Sequence, residues 1–304
     1  LKSILINSKS HLVLVHGDTT TAMAATIASF YLKIPVAHVE AGLRTRDITS
    51  PYPEEFNRQL ITRVASYNFS PTEQSRKNLL NESVSDNSIY ITGNTVIDTL
   101  LVTAKKVESM EFPRDILEEL PFLKKTKEGA AKRIILVTGH RRENFGKNFE
   151  EICYAIREIS ILYPDVEIIY PVHLNPNVIG PVENILSNIS NISLIKPVSY
   201  VFFVKIMMYS YLILTDSGGI QEEAPSLNKP VLVMRNTTER IEVVTSGAAK
   251  LVGSRKHNIV SETMRLLDNK SEYLKMSLAK NPYGAGRASE SIRKILEKSM
   301  IFDK

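Results

Sequence analysis

Short apolar runs, rich in β-branched residues, alternate with longer amphipathic stretches along the whole chain. Two parallel strands need a long crossover connection, usually a helix, so this alternation is typical of parallel sheets covered by helices. The strand candidates lie at 12–15, 36–39, 67–69, 89–91, 133–137, 166–171, 192–196, 211–214, 230–234 and 249–252. The sequence therefore predicts an α/β fold with two similar, doubly wound halves.

The alternation is interrupted over residues 109–132. This stretch carries Pro113, Pro121, Gly129 and most of a lysine cluster, a composition that ends regular elements and favours solvent. We interpret it as a crossing between domains. The predicted organisation is an N-terminal Rossmann-like domain over 1–110, a linker over 111–132, a C-terminal Rossmann-like domain over 133–280 and a final helical segment over 281–304.

The composition fits a soluble globular protein, because 43% of the residues are hydrophobic and 23% are charged. The apolar runs stay far below the ~20 residues that cross a bilayer, and we expect neither a secretory leader nor membrane insertion. Cys153 is the single cysteine, which excludes an intrachain disulfide and favours a reducing compartment, so a cytoplasmic protein is expected. A net charge of +5, spread along the chain, does not indicate a nucleic-acid partner.

Polar residues gather where the predicted strands end, the place where open α/β sheets bind their ligands. The four clusters are His16-Gly17-Asp18-Thr19-Thr20, His38-Val39-Glu40-Ala41-Gly42-Leu43-Arg44, Thr138-Gly139-His140-Arg141-Arg142-Glu143 and His173-Leu174-Asn175. We expect these clusters to contribute to a functional site. No His-Glu-x-x-His motif and no cysteine ligand pattern is present, so a metal site is not expected.

Several of these residues also have a structural explanation. The alternative explanation for Asp18 is that it caps the helix that starts at Thr19, and the alternative for Glu40 is a solvated turn before Gly42. His16 and His38 are compatible with core histidines that are hydrogen-bonded to the backbone. For His140, which follows an apolar strand and precedes two arginines, a functional role is the preferred interpretation.

The strongest single signal is the turn at 215–219, Thr-Asp-Ser-Gly-Gly, between a predicted strand and a predicted helix. The N–H groups and the positive dipole end of such a helix suit a phosphate or diphosphate, and the glycines let a ligand approach the backbone. An ordinary glycine turn with Ser217 as a helix cap is the alternative. Neither the P-loop motif nor the dinucleotide-binding motif occurs.

Taken together, the motifs resemble those of the non-hydrolysing UDP-N-acetylglucosamine 2-epimerases. The matching segments, in order and at family-like spacing between about residues 13 and 288, are His16-Gly17-Asp18-Thr19-Thr20, Val39-Glu40-Ala41-Gly42-Leu43-Arg44, Pro53-Glu54-Glu55-Phe56-Asn57-Arg58, 139–146, 171–176, 215–223, 234–242 and Asn281-Pro282-Tyr283-Gly284. The resemblance implies two Rossmann-like domains of the glycosyltransferase-B type, with a UDP-binding C-terminal domain and a last helix that returns to the N-terminal domain.

The resemblance also implies the reaction, the interconversion of UDP-GlcNAc and UDP-ManNAc without a nicotinamide cofactor or a metal. UDP is eliminated to leave a 2-acetamidoglucal and then adds back, with the proton returned on the opposite face. By similarity, the catalytic residues are Asp18, Glu40, Glu54 and His140, and the UDP-binding residues are Phe203, Ser217, Gly218, Gly219, Glu223 and Arg240. Phe203 is equally explained as a core residue. A homodimer and a role in polysaccharide biosynthesis are implied too.

The chain departs from the family pattern at its start. Family members begin with a strand, a Lys-x-Gly-Thr-Arg-Pro-Glu-like turn and further βα units before the strand that ends in His16. At ~30 residues per βαβ unit, two or more such units are absent here. We therefore expect an N-terminally truncated chain with an incomplete N-domain, poor stability and little activity by itself.

Three alternatives to this function remain open from the sequence. A hydrolysing epimerase would release ManNAc and UDP, and a truncated remnant would bind UDP without turnover. A retaining glycosyltransferase of the same fold is less favoured, because it needs no proton shuttle of three carboxylates and a histidine.

Overall fold

The computed structural model describes residues 1–128 and 132–302, with side chains described over 1–124 and 132–299. Residues 129–131 of the predicted linker, and 303 and 304 of the predicted final segment, lie outside the described residues. The strands are β1 (Val13–His16), β2 (Val36–Val39), β3 (Tyr67–Ser70), β4 (Ile89–Ile91), β5 (Ile134–Thr138), β6 (Glu167–Pro171), β7 (Ile192–Ile195), β8 (Leu212–Thr215), β9 (Val231–Val233) and β10 (Ala249–Leu251). The helices are α1 (Lys2–Asn7), α2 (Thr20–Tyr31), α3 (Glu54–Val64), α4 (Glu73–Asn81), α5 (Thr95–Glu108), α6 (Arg114–Glu119), α7 (Lys147–Leu162), α8 (Pro176–Leu186), α9 (Tyr200–Tyr209), α10 (Gly218–Ser226), α11 (Ile241–Thr245), α12 (Lys256–Asp268), α13 (Lys270–Ser277) and α14 (Ala288–Phe302).

The chain divides into two compact units. The first comprises Leu1–Thr99 together with the C-terminal segment from Pro282, and the second comprises Leu100–Asn281. The first cut therefore falls inside α5, upstream of the predicted domain end at residue 110.

The stretch predicted as a linker is partly folded. It contains α6 and a 3-10 helix over Pro121–Glu128, and its described residues belong to the second unit. Ile116, Leu120 and Leu123 are buried, so this lysine-rich stretch carries apolar anchors of its own. Burial of these side chains outweighs the polar composition that suggested a solvated crossing.

The first unit contains a parallel sheet in the order β1-β2-β3-β4. One face packs against α2 and α3 through Val15, Val36, Ala22 and Ile61. The opposite face packs against α14, where Ile292 contacts Ala37 and Phe69. Asp98 of α5 accepts hydrogen bonds from the N–H groups of Ala288 (3.0 Å) and Ser289 (2.9 Å), and so caps α14.

The second unit contains a six-stranded parallel sheet in the order β10-β9-β8-β5-β6-β7. Read from β7, this is the doubly wound Rossmann order, and the strand order reverses between β5 and β8. Its core is continuous and apolar, and it encloses the single cysteine, Cys153 of α7. Both sheets are parallel and helix-covered, which confirms the predicted fold class.

No helix among the described residues is long and apolar enough to cross a membrane.

Candidate active site

Asp18 lies immediately after β1 and is held by α3. Its carboxylate forms an ion pair with the buried guanidinium of Arg58, and its carbonyl oxygen accepts a hydrogen bond from Asn57 Nδ2 at 2.8 Å. The cap of α2 is Thr19 instead, whose Oγ1 accepts from the N–H of Ala22 at 3.1 Å. The capping explanation for Asp18 is therefore wrong, and its carboxylate is oriented by Arg58.

Glu40 lies directly after β2, in the left-handed region with φ +70°. Its Oε1 accepts a hydrogen bond from Asn94 Nδ2 at 3.1 Å, and its Oε2 stands 3.8 Å from His16 Nε2. Only 16% of the Glu40 side chain is exposed, so a solvated turn does not describe it. A Cβ at Gly17 would lie 3.1 Å from Glu40 Oε2, so the glycine lets this carboxylate approach the turn that carries Asp18.

Glu54 is the first residue of α3, and its Oε2 is buried without a hydrogen-bond donor among the described residues. The neighbouring Glu55 differs. It is fully buried and accepts from the N–H groups of Thr45 (3.1 Å) and Arg46 (3.2 Å), and it also contacts Arg58. Glu55 therefore ties a loop to α3, whereas Glu54 retains an unoccupied acceptor for a substrate or a proton.

His38 is a buried histidine of β2, as the structural explanation expected, while His16 is 59% exposed and is no core residue. The Nε2 of His38 lies 2.8 Å from the carbonyl oxygen of Gly17. The pKa of His38 is lowered to about 4, mainly by burial; the Gly17 carbonyl and Asp18 oppose this shift, and the Arg44 guanidinium adds to it. The ring is neutral at physiological pH and donates to the turn that carries Asp18.

The second unit places its candidate residues where the strand order reverses. Thr138 and Thr215 end β5 and β8 as paired residues, and their Oγ1 atoms are 2.6 Å apart. The next residues of each strand are Gly139 and His140 on one side and Asp216 and Ser217 on the other. Ligands of open α/β sheets bind at this topological position.

His140 is held by the buried carboxylate of Asp216. That carboxylate accepts hydrogen bonds from the N–H groups of His140 (3.0 Å) and Arg141 (2.9 Å) and from Asn144 Nδ2 (3.2 Å). The imidazole stacks on His173, with ring centroids 5.2 Å apart. Burial lowers the pKa of His140, Arg141 and His173 lower it too, and Asp216 raises it. The net lowering favours a neutral imidazole, which can donate one N–H to a ligand.

The glycine turn begins α10, and its serine side chain is not used as a cap. Ser217 occupies the N-cap position without a side-chain hydrogen bond to the helix, and its own N–H donates to Thr215 Oγ1 at 2.9 Å. A Cβ at Gly218 would lie 2.6 Å from Arg240 Nη1, so the glycine lets the Arg240 guanidinium lie close to the start of α10. A Cβ at Gly219 would meet nothing within 4 Å, so the described residues leave room there for a ligand.

Arg240 lies against this turn, and its charge is shared with two buried carboxylates. Its Nε donates to Glu222 Oε1 at 2.7 Å, and its Nη1 contacts Glu239. Glu239 also pairs with Arg235, which in turn pairs with Glu143 at 2.5 Å. The sequence did not predict this network, because its members lie far apart in the chain.

Phe203 is half-buried and lines a cavity of about 220 Å³, so it is more than a core side chain. The cavity is lined by Thr138, Gly139, His140, Pro171, His173, Pro197, Val198, Phe203, Ser217 and Ile220. Glu223, one turn after Ile220 on α10, accepts a hydrogen bond from the Tyr200 hydroxyl at 2.6 Å. Three of the predicted UDP or catalytic residues, His140, Phe203 and Ser217, thus face one cavity.

Within the first unit, Asp18, Glu40 and Glu54 are connected through Gly17 and α3. Sequence reasoning did not predict the positioning contacts of Arg58 and Asn94, nor those of Asp216 and Tyr200 in the second unit. Arg58 had a detectable signal, since it lies four residues after Glu54 and three after Glu55 on one helix face. No cluster of three or more His, Cys, Asp or Glu able to hold a metal occurs among the described residues.

Comparison with known proteins assigns the family. The family model for UDP-N-acetylglucosamine 2-epimerase matches residues 1–297. The chain is 55% identical over 302 residues to the UDP-N-acetylglucosamine 2-epimerase of Escherichia coli strain K12, covering 99% of this chain and 79% of the relative. The chain therefore belongs to the UDP-N-acetylglucosamine 2-epimerase family, as its motifs predicted.

Solved structures agree with the sequence relatives. The crystal structure of UDP-GlcNAc 2-epimerase from Neisseria meningitidis bound to UDP-GlcNAc is 46% identical, with a TM-score of 0.92 over 98% of this chain and 79% of that chain. The S. aureus MnaA–UDP structure is 42% identical, with a TM-score of 0.90 over 98% of this chain and 78% of that chain. These matches confirm the glycosyltransferase-B type of fold and do not favour a hydrolysing enzyme or a UDP-binding remnant.

Proposed function

We propose that this protein is an isomerase that inverts C2 of UDP-N-acetylglucosamine to give UDP-N-acetylmannosamine. The observation that carries the proposal is the set of carboxylates Asp18, Glu40 and Glu54, held at the ends of β1 and β2 and the start of α3 in a chain of this family. It is supported by the helix N-terminus and cavity at the strand-order reversal of the second unit, which suit a nucleotide diphosphate.

The chemistry requires more than one acid or base. The C2–H of the sugar is a weak acid, so a carboxylate must be placed against it while the diphosphate leaves from C1. One carboxylate removes the C2 proton as the C1–O bond breaks, which gives UDP and a 2-acetamidoglucal. A second group on the opposite face then returns a proton to C2 while UDP adds back to C1. Asp18, Glu40 and Glu54 supply these groups.

The second unit stabilises the leaving diphosphate in this proposal. The N–H groups of Gly218 and Gly219 and the positive end of the α10 dipole face the negative charge that develops on UDP. His140, whose backbone N–H donates to the Asp216 carboxylate, donates its imidazole N–H to the same diphosphate. Arg240 contributes partial charge, because Glu222 and Glu239 already neutralise part of it.

The nucleoside occupies the cavity beside Phe203. The aromatic ring contacts the uracil, and Glu223 accepts hydrogen bonds from the ribose hydroxyls. No nicotinamide cofactor is needed, since elimination and re-addition leave the oxidation state of the sugar unchanged.

The test is to incubate the purified chain with UDP-GlcNAc in D₂O and to follow C2 by NMR. Isotope exchange accumulates during long incubations, so this readout detects turnover at any rate. Deuterium at C2 and the appearance of UDP-ManNAc are expected. Free ManNAc with UDP would establish the hydrolysing alternative, and UDP binding without any exchange would establish the remnant.

We also propose a cytoplasmic homodimer without a nucleic-acid partner, which feeds polysaccharide biosynthesis. The family resemblance supports the dimer, and the single buried cysteine supports a reducing compartment. Light scattering of the purified chain should give twice the monomer mass of 34.2 kDa. A monomer mass at micromolar concentration would contradict the dimer.

A further inference from the structure

Two helices of the second unit, α9 and α10, both contribute residues to the cavity proposed to hold the nucleotide. On α9, Tyr200 and Phe203 are three residues apart and share a face, as do Ile220 and Glu223 on α10. Phe203 and Ile220 both line the cavity. One turn before Phe203 on α9, the Tyr200 hydroxyl donates to Glu223 Oε1 at 2.6 Å, and Glu223 lies one turn after Ile220 on α10. The hydrogen bond therefore joins the two cavity walls at one end.

The orientation of the Glu223 carboxylate depends on this hydrogen bond from Tyr200. Its residue surface is 5% exposed, and among the described residues Tyr200 is its one hydrogen-bond donor. Burial raises the pKa of Glu223, and the hydrogen bond from Tyr200 opposes that rise. A glutamate side chain has three rotatable torsions, so without the phenol both its direction and its charge would be less well defined.

We propose that Tyr200 is a positioning residue, which fixes the Glu223 carboxylate toward the ribose and so makes the site selective for ribonucleotides over 2′-deoxyribonucleotides. This inference rests on the proposed function, in which Glu223 meets the ribose hydroxyls. A carboxylate has about four lone-pair sites, so one bond from Tyr200 leaves sites for two vicinal hydroxyl groups. A ligand that lacks one hydroxyl leaves this buried carboxylate under-satisfied, which is an effective way to reject it.

A purely structural role for Tyr200 makes a different prediction. If the phenol only links α9 to α10, its loss distorts the cavity and weakens the binding of every nucleotide by the same factor. If the phenol orients Glu223, its loss weakens the binding of UDP. The binding of 2′-deoxy-UDP then stays nearly unchanged, because the deoxynucleotide already lacks one of the contacts to Glu223. The ratio of the dissociation constants for UDP and 2′-deoxy-UDP separates these roles. Partial unfolding weakens the binding of both nucleotides equally and leaves this ratio unchanged.

The experiment is calorimetric titration of the full chain with UDP and with 2′-deoxy-UDP. The variants are Tyr200→Phe, Glu223→Gln and the double variant, with Tyr209→Phe as the control, because it removes a phenol oxygen from the other end of α9. We expect the unsubstituted chain and the control to prefer UDP by about tenfold, the cost of one unmade charged hydrogen bond. Tyr200→Phe and Glu223→Gln should each reduce this preference to about threefold or less, and the double variant should reduce it no further.

The role of Tyr200 would be overturned if Tyr200→Phe weakened the binding of both nucleotides equally. It would also be overturned if the unsubstituted chain did not prefer UDP over 2′-deoxy-UDP, and in both cases UDP binding would stand. If Tyr200→Phe does not fold, a full UDP preference in Glu223→Gln overturns the role of Tyr200 as well. Absence of UDP binding to the unsubstituted chain would instead overturn the proposed function, and the role of Tyr200 with it.

Discussion

Asp18 and Glu54 are two carboxylates of one candidate site with opposite surroundings. Asp18 is paired with the buried guanidinium of Arg58, whereas Glu54 Oε2 has no donor among the described residues. A paired carboxylate is fixed in direction, and one without a donor keeps its lone pairs for a proton or a substrate hydroxyl. The two side chains are therefore suited to different steps of a reaction that moves a proton across a sugar ring.

The first prediction concerns these carboxylates. Asp18→Asn, Glu40→Gln and Glu54→Gln should each lower kcat for C2 inversion by about 10²- to 10⁴-fold, the usual contribution of a positioned acid or base. The dissociation constant for UDP should change little, since these residues lie in the first unit and the proposed diphosphate contacts lie in the second. Exchange kinetics and calorimetry on the same preparations measure both quantities.

The control is Glu73→Gln, an amide substitution at an exposed position of α4 in the same unit. It should retain the rate of the unsubstituted chain. If a carboxylate variant retains more than about a tenth of that rate, the substituted residue does not take part in the proton transfer.

The second prediction concerns pH and His38. Burial lowers the pKa of His38 from 6.5 to about 4. Between pH 6.5 and about pH 4, His38 is therefore protonated in the unfolded chain and neutral in the folded chain. Stability is therefore highest above pH 6.5 and declines as the pH falls toward about 4, with a contribution of about 3 kcal/mol from this residue. Urea unfolding at several pH values measures the decline.

His38→Gln keeps a donor at similar reach to the Gly17 carbonyl and removes the titration. Its unfolding free energy should decline less steeply over this pH range. His11→Gln, at an exposed position, should retain the full slope. Equal slopes in His38→Gln and the unsubstituted chain would show that His38 does not control the acid sensitivity.

At the scale of secondary-structure elements, α14 is joined to the first unit at both its end and its side. Asp98 of α5 accepts hydrogen bonds from its first N–H groups, and Ile292 packs against Ala37 and Phe69 of the sheet. A helix needs acceptors for its first N–H groups, and here another helix supplies them. The final helix is therefore part of the first unit by specific contacts as well as by apolar packing.

The third prediction tests the cap. Asp98→Ala should lower the unfolding free energy by about 1 to 2 kcal/mol, the usual cost of a lost N-cap acceptor. Asp98→Asn keeps an amide oxygen for the same N–H groups and should lose about half as much or less. Chemical denaturation of the two variants measures the difference, and equal losses would mean that the negative charge, not the hydrogen bond, holds α14.

The strands were predictable from the sequence because each is a short, β-branched apolar run between polar turns. All ten strand candidates overlap observed strands, for example 36–39 with β2 and 89–91 with β4. Helix α6 was not predictable, since its flanking prolines and lysines dominate its local composition while Ile116 is buried by tertiary packing.

The same limit applies to the candidate site. Sequence motifs identified Glu40 and His140, because glycines and strand ends make their positions recognisable. The partners that orient them, Asn94 and Asp216, lie 54 and 76 residues away in the chain, and no local pattern records such a pairing. Catalytic candidates were therefore accessible from the sequence, and the contacts that position them were not.

At the scale of the whole molecule, the two units carry different parts of the proposed chemistry. The first unit, Leu1–Thr99 with the segment from Pro282, holds the candidate proton-transfer residues, and the second, Leu100–Asn281, holds the candidate nucleotide residues. Each set is built within its own sheet and helices. Nucleotide binding and proton transfer can therefore be measured and disrupted separately.

The fourth prediction uses Cys153, the single cysteine, as a reporter for the second unit. Burial, together with the nearby Glu150, raises the pKa of its thiol to about 12, so the reactive thiolate is scarce in the folded protein. Reaction with a disulfide reagent such as DTNB should be slow in native buffer and become rapid once urea unfolds this unit. Saturating UDP should slow it further, because a ligand bound to the folded state reduces opening.

Carboxylate variants of the first unit such as Glu54→Gln provide the comparison, and UDP should protect their thiol as well as it protects the unsubstituted chain. Rapid labelling in native buffer would contradict the buried position of Cys153. If UDP does not slow the labelling of Cys153, nucleotide binding does not stabilise this unit.

The first unit is assembled from the two ends of the chain, with everything from Leu100 to Asn281 inserted between them. On the ribosome, α14 is therefore synthesised after the whole second unit, which can complete its own sheet beforehand. Of the two units, the one whose synthesis starts earlier is completed later. Until α14 arrives, the sheet face that carries Ala37 and Phe69 stays uncovered, and exposed apolar surface of this kind favours aggregation of a nascent chain.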